Sequence, residues 1–167
     1  MDYSELYYIY QDMYKATYKG RYRVLNPAKY KGNISDVIYR SSWELRFMKW
    51  CDTNTSVLEW GSETMIIPYK SPVDNKIHRY FVDFYIRVKD RHNTISKYLV
   101  EIKPEKFTKP PDIPKRQTQR FIDEVFQYGT NQAKWKAANE YCMDLSLIHI
   151  SEPTRQAEIS YAVFCLK

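Results

Sequence analysis

Two runs rich in aromatic and β-branched residues, 80–88 and 98–103, flank a polar stretch, 89–96, that suits a chain reversal. This pattern constrains the chain more than any other, because a hairpin fixes which residues face one another. If it folds symmetrically about His92, Asp83 and Glu101 stand directly opposite. Opposed residues share a face, with Cβ atoms about 4.5–5.5 Å apart. Lys103 lies two residues past Glu101, so the period-2 geometry of a strand keeps it on that face as well.

Two opposed carboxylates repel and weaken a sheet. A divalent cation between them reverses the sign of that interaction. Mg²⁺ takes one or two carboxylates and fills its remaining positions with water and phosphate oxygens. A lysine beside such a site can orient an attacking water or offset charge on a phosphate. The competing reading is a solvated cross-strand ion-pair cluster, and the three residues alone do not separate the two.

The rest of the chain reads as a mixture of helices and short strands. Leu6, Tyr7, Tyr10, Met13, Tyr14 and Thr17 fall at helical steps within 4–18. Residues 19–33 form a turn-rich basic arm carrying Arg21, Arg23, Lys29 and Lys31, suited either to phosphate contacts or to plain solvation. Ser41 or Ser42 can cap a helix over 41–50, with Glu44 in its first turn and Trp43, Phe47 and Trp50 as core contacts. Strands are expected over 57–60 and 64–69, with a turn at 71–75. After Lys103, four prolines accompany Lys106, Lys109, Lys115 and Arg116. Two helices follow, 117–128 with Phe121, Ile122, Val125 and Phe126 inward, and 131–141 carrying Gln132 and Lys134 toward the site or toward phosphate.

Composition narrows the partners. A formal net charge of +6 and 16 tyrosines favour a polyanion, most simply nucleic acid. The three cysteines have no metal-binding or redox spacing, and read as reduced thiols. No apolar run reaches membrane-spanning length and no signal peptide opens the sequence, so an intracellular, soluble chain is expected. Nor is there a glycine-rich nucleotide loop or a nucleophile elbow, which removes motor ATPases, dinucleotide enzymes and serine hydrolases from consideration.

Asp83 in Tyr-Phe-Val-Asp-Phe and Glu101-Ile-Lys103 in Tyr-Leu-Val-Glu-Ile-Lys-Pro resemble the PD-(D/E)xK nuclease superfamily. The helix 41–50 is similar to the first helix of that core, which carries a glutamate, here Glu44. Taken with the arm 20–31 and the block 128–138, these stretches resemble the head completion nucleases of large tailed phages, relatives of TnsA-like endonucleases. The resemblance spans roughly 15–142. It implies an α/β (α+β) restriction-endonuclease-like fold, a mixed central sheet flanked by helices. It also implies a DNA endonuclease using Mg²⁺, with Mn²⁺ as a substitute. Asp83, Glu101 and Glu44 would hold the metal or its water shell, and Lys103 would position the water. DNA would meet Arg21, Arg23, Lys29, Lys31, Lys106, Lys109, Gln132 and Lys134. The partners implied are double-stranded DNA and portal or neck proteins, in the host cytoplasm during assembly or on the virion. The rival is a structural head-completion protein that grips DNA or the portal without cutting.

Residues 145–167 resemble translated sequencing-adapter read-through, two constant blocks flanking Gln156-Ala-Glu158. The expected organisation is therefore one nuclease domain over 1–144, with helix and basic arm in 1–35 and the catalytic core in 36–144, followed by a foreign tail. The alternative for the tail is a genuine last strand over 159–166.

Overall fold

The computed structural model describes residues 18–144 and the pair 162–163. Strands β1 (Gly20–Arg21) and β2 (Ile38–Tyr39) pair antiparallel and bracket the basic arm. Helix α1 (Ser42–Thr53) leads into a long bent hairpin formed by β3 (Val57–Ser62), β4 (Ile66–Lys70), β5 (Ile77–Phe81) and β6 (Phe84–Lys89). Strand β7 (Ile95–Glu101) pairs with β6, and helix α2 (Gln119–Asp144) closes the domain. Strand β8 (Ala162–Val163) adds antiparallel to the end of β7, opposite Val100 and Glu101. The remainder of the suspected tail lies outside the described residues, as does the helix expected over 4–18 except for its last residue, Tyr18.

The sheet is sandwiched between the two helices, and the alternation of its side chains shows how. Val57, Trp60, Phe84, Ile86 and Val100 are buried with Phe47, Met48 and Cys51 of α1. Tyr85 and Leu99 point the other way, joining Ile67, Tyr69, Tyr80 and Val82 against Ala138 and Cys142 of α2. Burying one large apolar side chain of this kind stabilises by about 1.5–3 kcal/mol, so the two layers hold the sheet from both sides. The fold is α+β, with antiparallel sheets and a parallel bridge between Tyr30 and Trp60.

Four expectations need correction. The run 80–88 is two strands, broken at Val82-Asp83 as the chain exchanges β4 for β3 as its partner. The helices 117–128 and 131–141 are one continuous helix, since Gly129 costs a helix only about 1 kcal/mol and does not end it. In that helix Ile122, Val125 and Phe126 are exposed; burial begins at Asn131. In α1, Phe47 is buried as expected but Trp50 is exposed.

The basic arm is held down rather than free. Tyr22 and Tyr30 pack edge-on against Trp60, and the Lys31 amide donates to Trp60 O at 2.7 Å. Gly61 makes this approach possible, because a methyl group there would stand 2.6 Å from Lys31 O.

Candidate active site

The break in the second strand creates the site. Each rung of β6–β7, from Phe84↔Val100 to Lys89↔Ile95, is symmetric about His92. Carried one position outward, that register would set Asp83 against Glu101, and the two carboxyls do interact electrostatically. Across the hairpin, β3–β6 ends at Ser62↔Phe84 and β4–β5 begins at Ile66↔Phe81. Glu63, Thr64 and Met65 therefore oppose only Val82 and Asp83, a bulge of one surplus residue. Bulges bend a strand and re-aim its side chains, and they gather next to active sites.

Glu63 occupies the left-handed region at φ 53, a conformation that costs an L-residue about 1–2 kcal/mol. Two contacts hold it there. Its amide donates to Asp83 O at 3.0 Å, and both of its carboxylate oxygens accept from the Arg40 guanidinium. A fork-to-fork arginine–carboxylate pair is among the stronger and more directional ion pairs. Arg40 and Glu63 thus pin the bend on which Asp83 sits.

The two acids are unequally supplied with donors. Glu101, only 3 % exposed, accepts from the Tyr80 hydroxyl at 2.7 Å and from Lys103 Nζ at 3.1 Å. Asp83 accepts through Oδ2 from the Ile102 amide at 2.7 Å. Burial first, and then the Glu101 charge, hold the Asp83 carboxyl well above the usual carboxylate range; Glu44 adds to this, while the Ile102 amide and Lys103 oppose it. Lys103 is pulled down by burial, but Glu101 and Asp83 outweigh that and its net shift is upward. It is therefore a fixed cation beside the acids.

Other expected residues are distributed differently. Glu44 serves the start of α1: it accepts from the Arg40 amide at 2.7 Å and from Ser41 Oγ at 3.0 Å, while its own amide donates back to Ser41 Oγ at 3.1 Å. This is a close variant of the capping box, and the Glu44 charge also acts on Asp83 and Lys103. Lys29 is not a free phosphate contact. Its Nζ lies 2.8 Å from Asn54 O and 3.3 Å from Asp52 O, neutralising carbonyls at the C-terminus of α1. Lys31 pairs with Glu59 at 3.4 Å and lies over the Tyr85 ring, and Arg21 pairs with Asp36 at 3.7 Å; both remain exposed, as does Arg23. Lys106 and Lys109 are exposed beyond β7. On α2, Gln132 turns to solvent, whereas Lys134 is half-buried over the rings of Tyr80 (5.5 Å) and Tyr69 (5.7 Å). Burial, and then the charge of Lys103, lower the Lys134 pKa.

Tyr80 and Arg40 escaped the sequence reading, which takes Glu63 as either an additional metal-shell carboxylate or a solvated loop residue and not as the partner of an arginine. Tyr80 had a usable signal, since it precedes Asp83 by three residues in a strand that must turn inward to bring the aspartate to the sheet. Arg40 had none, since only the fold brings it to Glu63.

A family model for the N-terminal domain of TnsA-like endonucleases matches residues 54–149, which takes in β3 to β7, both acids, Lys103 and α2. The chain belongs to the TnsA-like endonuclease family. The head completion nuclease of Enterobacteria phage T4 is 38 % identical over 125 residues, covering 72 % of this chain and 81 % of that relative. No solved structure gives a significant match. Among the described residues no helix is long and apolar enough to cross a membrane.

Proposed function

We propose that this chain is a divalent-metal-dependent DNA endonuclease of the PD-(D/E)xK type, which finishes or trims packaged DNA during phage head completion. One observation carries the proposal: two carboxylates, Asp83 and Glu101, oppose each other at the strand break, with the Lys103 cation bonded to one of them. The relative named for head completion supports the biological setting, in which portal or neck proteins would be the neighbours.

The donor set suits Mg²⁺, or Mn²⁺ in its place. Among the described residues no group of three or more His, Cys, Asp or Glu side chains forms a closed cage. Two carboxylates are what Mg²⁺ accepts when water and phosphate oxygens complete its shell. Asp83 and Glu101 would hold the ion. The ion would supply acidification of a bound water and charge compensation at phosphorus. Tyr80 and Lys103 orient Glu101 by donating to its two oxygens, and the Ile102 amide does the same for Asp83. Lys103 remains protonated and positions the attacking water or the phosphate oxygen next to it. Lys134 places a second cation on the α2 side, where a DNA strand gains from it, while exposed Arg21, Arg23, Lys31, Lys106, Lys109 and Gln132 provide peripheral contacts. Glu44 contributes its charge from the helix cap.

The test is cleavage of supercoiled plasmid with Mg²⁺, with EDTA, and with Asp83→Asn and Lys103→Ala. Cleavage that needs metal and falls by roughly two to three orders of magnitude in Asp83→Asn is expected. Undiminished cleavage by Asp83→Asn overturns the assigned site. DNA retention without cleavage by the unsubstituted chain favours the structural rival.

A further inference from the structure

The β4–β5 ribbon has two faces of opposite character. Ile67, Tyr69 and Tyr80 on its inner face are buried against α2. The outer face is built from three cross-strand rungs, Ile66 with Phe81, Pro68 with Arg79, and Lys70 with Ile77, and all six residues are exposed. Ile77 is 70 % exposed, Ile66 46 % and Phe81 42 %. A two-sided antiparallel ribbon normally turns its polar residues to water, so an outer face with four apolar members needs a reason.

Its charged members are both cations. Arg79 lies 5.6 Å from the centre of the Phe81 ring, and neither Arg79 nor Lys70 forms an ion pair with a described residue. Asp74, in the turn between the two strands, accepts from His78 Nε2 at 2.9 Å and from the Lys76 amide at 3.2 Å. The ribbon also runs directly into the site, since Phe81 precedes Asp83 by two residues.

We infer that this outer face is a DNA-binding wing, seated on the duplex next to the phosphate that is cut. Arg79 and Lys70 contact backbone phosphates, and Phe81, Ile66 and Ile77 enter the adjoining groove. The inference rests on the endonuclease reading and extends it. Three observations favour duplex DNA as the occupant. The face is cationic without counter-charge, which suits a polyanion. It is continuous with the acid pair, so a strand reaching Asp83 runs past it. A two-stranded ribbon is also of a size that the major groove admits, where apolar side chains contact base edges.

The test uses the full-length chain carrying Asp83→Asn to stop cleavage, with a short fluorescein-labelled duplex followed by anisotropy across a salt series. Adding Lys70→Ala with Arg79→Ala is expected to weaken binding about tenfold at moderate salt. It should also reduce the slope of log K against log salt by about two, one per phosphate contact. Adding Ile77→Ser with Phe81→Ser weakens binding several-fold with the slope unchanged, and circular dichroism checks folding in each case. If both pairs bind like the Asp83→Asn parent, the wing is overturned, while cleavage by the unsubstituted chain still upholds the endonuclease reading. If the unsubstituted chain neither binds nor cuts DNA, both fall. A photoreactive group attached at Ile77 should cross-link to the duplex. An adduct formed instead with residues 1–17 of the chain, or with a second protein, overturns the inference.

Discussion

Asp52 and Asp83 are both aspartates withdrawn from bulk water, and their surroundings could hardly differ more. Asp52, 0 % exposed, sits at the end of α1 and receives the Tyr22 hydroxyl at 2.9 Å, the Leu25 amide at 2.6 Å and the Asn26 amide at 3.0 Å. Its backbone carbonyl takes the Asn26 side chain at 2.8 Å. Every donor comes from the basic arm, so Asp52 is the peg on which the arm hangs. Asp83 receives one amide and faces another carboxylate. Burial alone therefore says little about an acid's role; the number of donors aimed at it says much more. A satisfied acid holds structure together, and an under-supplied one is ready to accept something from outside.

This contrast can be broken by experiment. Asp83→Asn should abolish nearly all cleavage while the denaturation midpoint holds or rises, because the substitution removes a like-charge repulsion. Asp52→Ala should do the reverse. Three donors lose their acceptor, and urea denaturation should show a loss of about 3 kcal/mol. Cleavage per folded molecule should suffer far less than in Asp83→Asn. Equal loss of activity in the two variants would erase the distinction.

Smaller effects sharpen it. Glu44→Ala removes half of the capping arrangement and should lower stability by about 1 kcal/mol, with cleavage reduced by about tenfold or less. A fall matching that of Asp83→Asn would restore Glu44 to the metal. Lys29→Met should lower stability by about 1 kcal/mol through the exposed end of α1 and leave the salt dependence of DNA binding unchanged.

The register of the central hairpin was legible because a polar reversal between two apolar runs leaves few ways to pair them. Symmetry about His92 is enough to point Asp83 toward Glu101, whereas Lys103, expected within the strand, lies two residues past the end of β7 and is held beside Glu101 by their ion pair. The start of α1 was equally legible, since Ser41 and Glu44 signal a cap through local chemistry. What escaped depended on distant partners. The break at Asp83 is decided by Glu63, which adopts its left-handed backbone in the grip of an arginine 23 residues earlier. Lys29 looked like a phosphate contact because a lysine in a basic arm carries no local sign that a helix end awaits it. The exposed stripe of Ile122, Val125 and Phe126 has the pattern of a buried face, and periodicity cannot say whether a partner layer is present.

The surplus residue at Glu63 also sets a frame for everything beyond it. Strand side chains alternate, so deleting one residue between Ser62 and Ile66 would shift the distal ribbon by one place and invert it. Ile67 and Tyr69 would turn to solvent, and Pro68 and Lys70 would be forced beneath α2. Loop shortening, usually a benign change, is therefore forbidden at this position, and two residues would have to be gained or lost together for the inward and outward sets to keep their places.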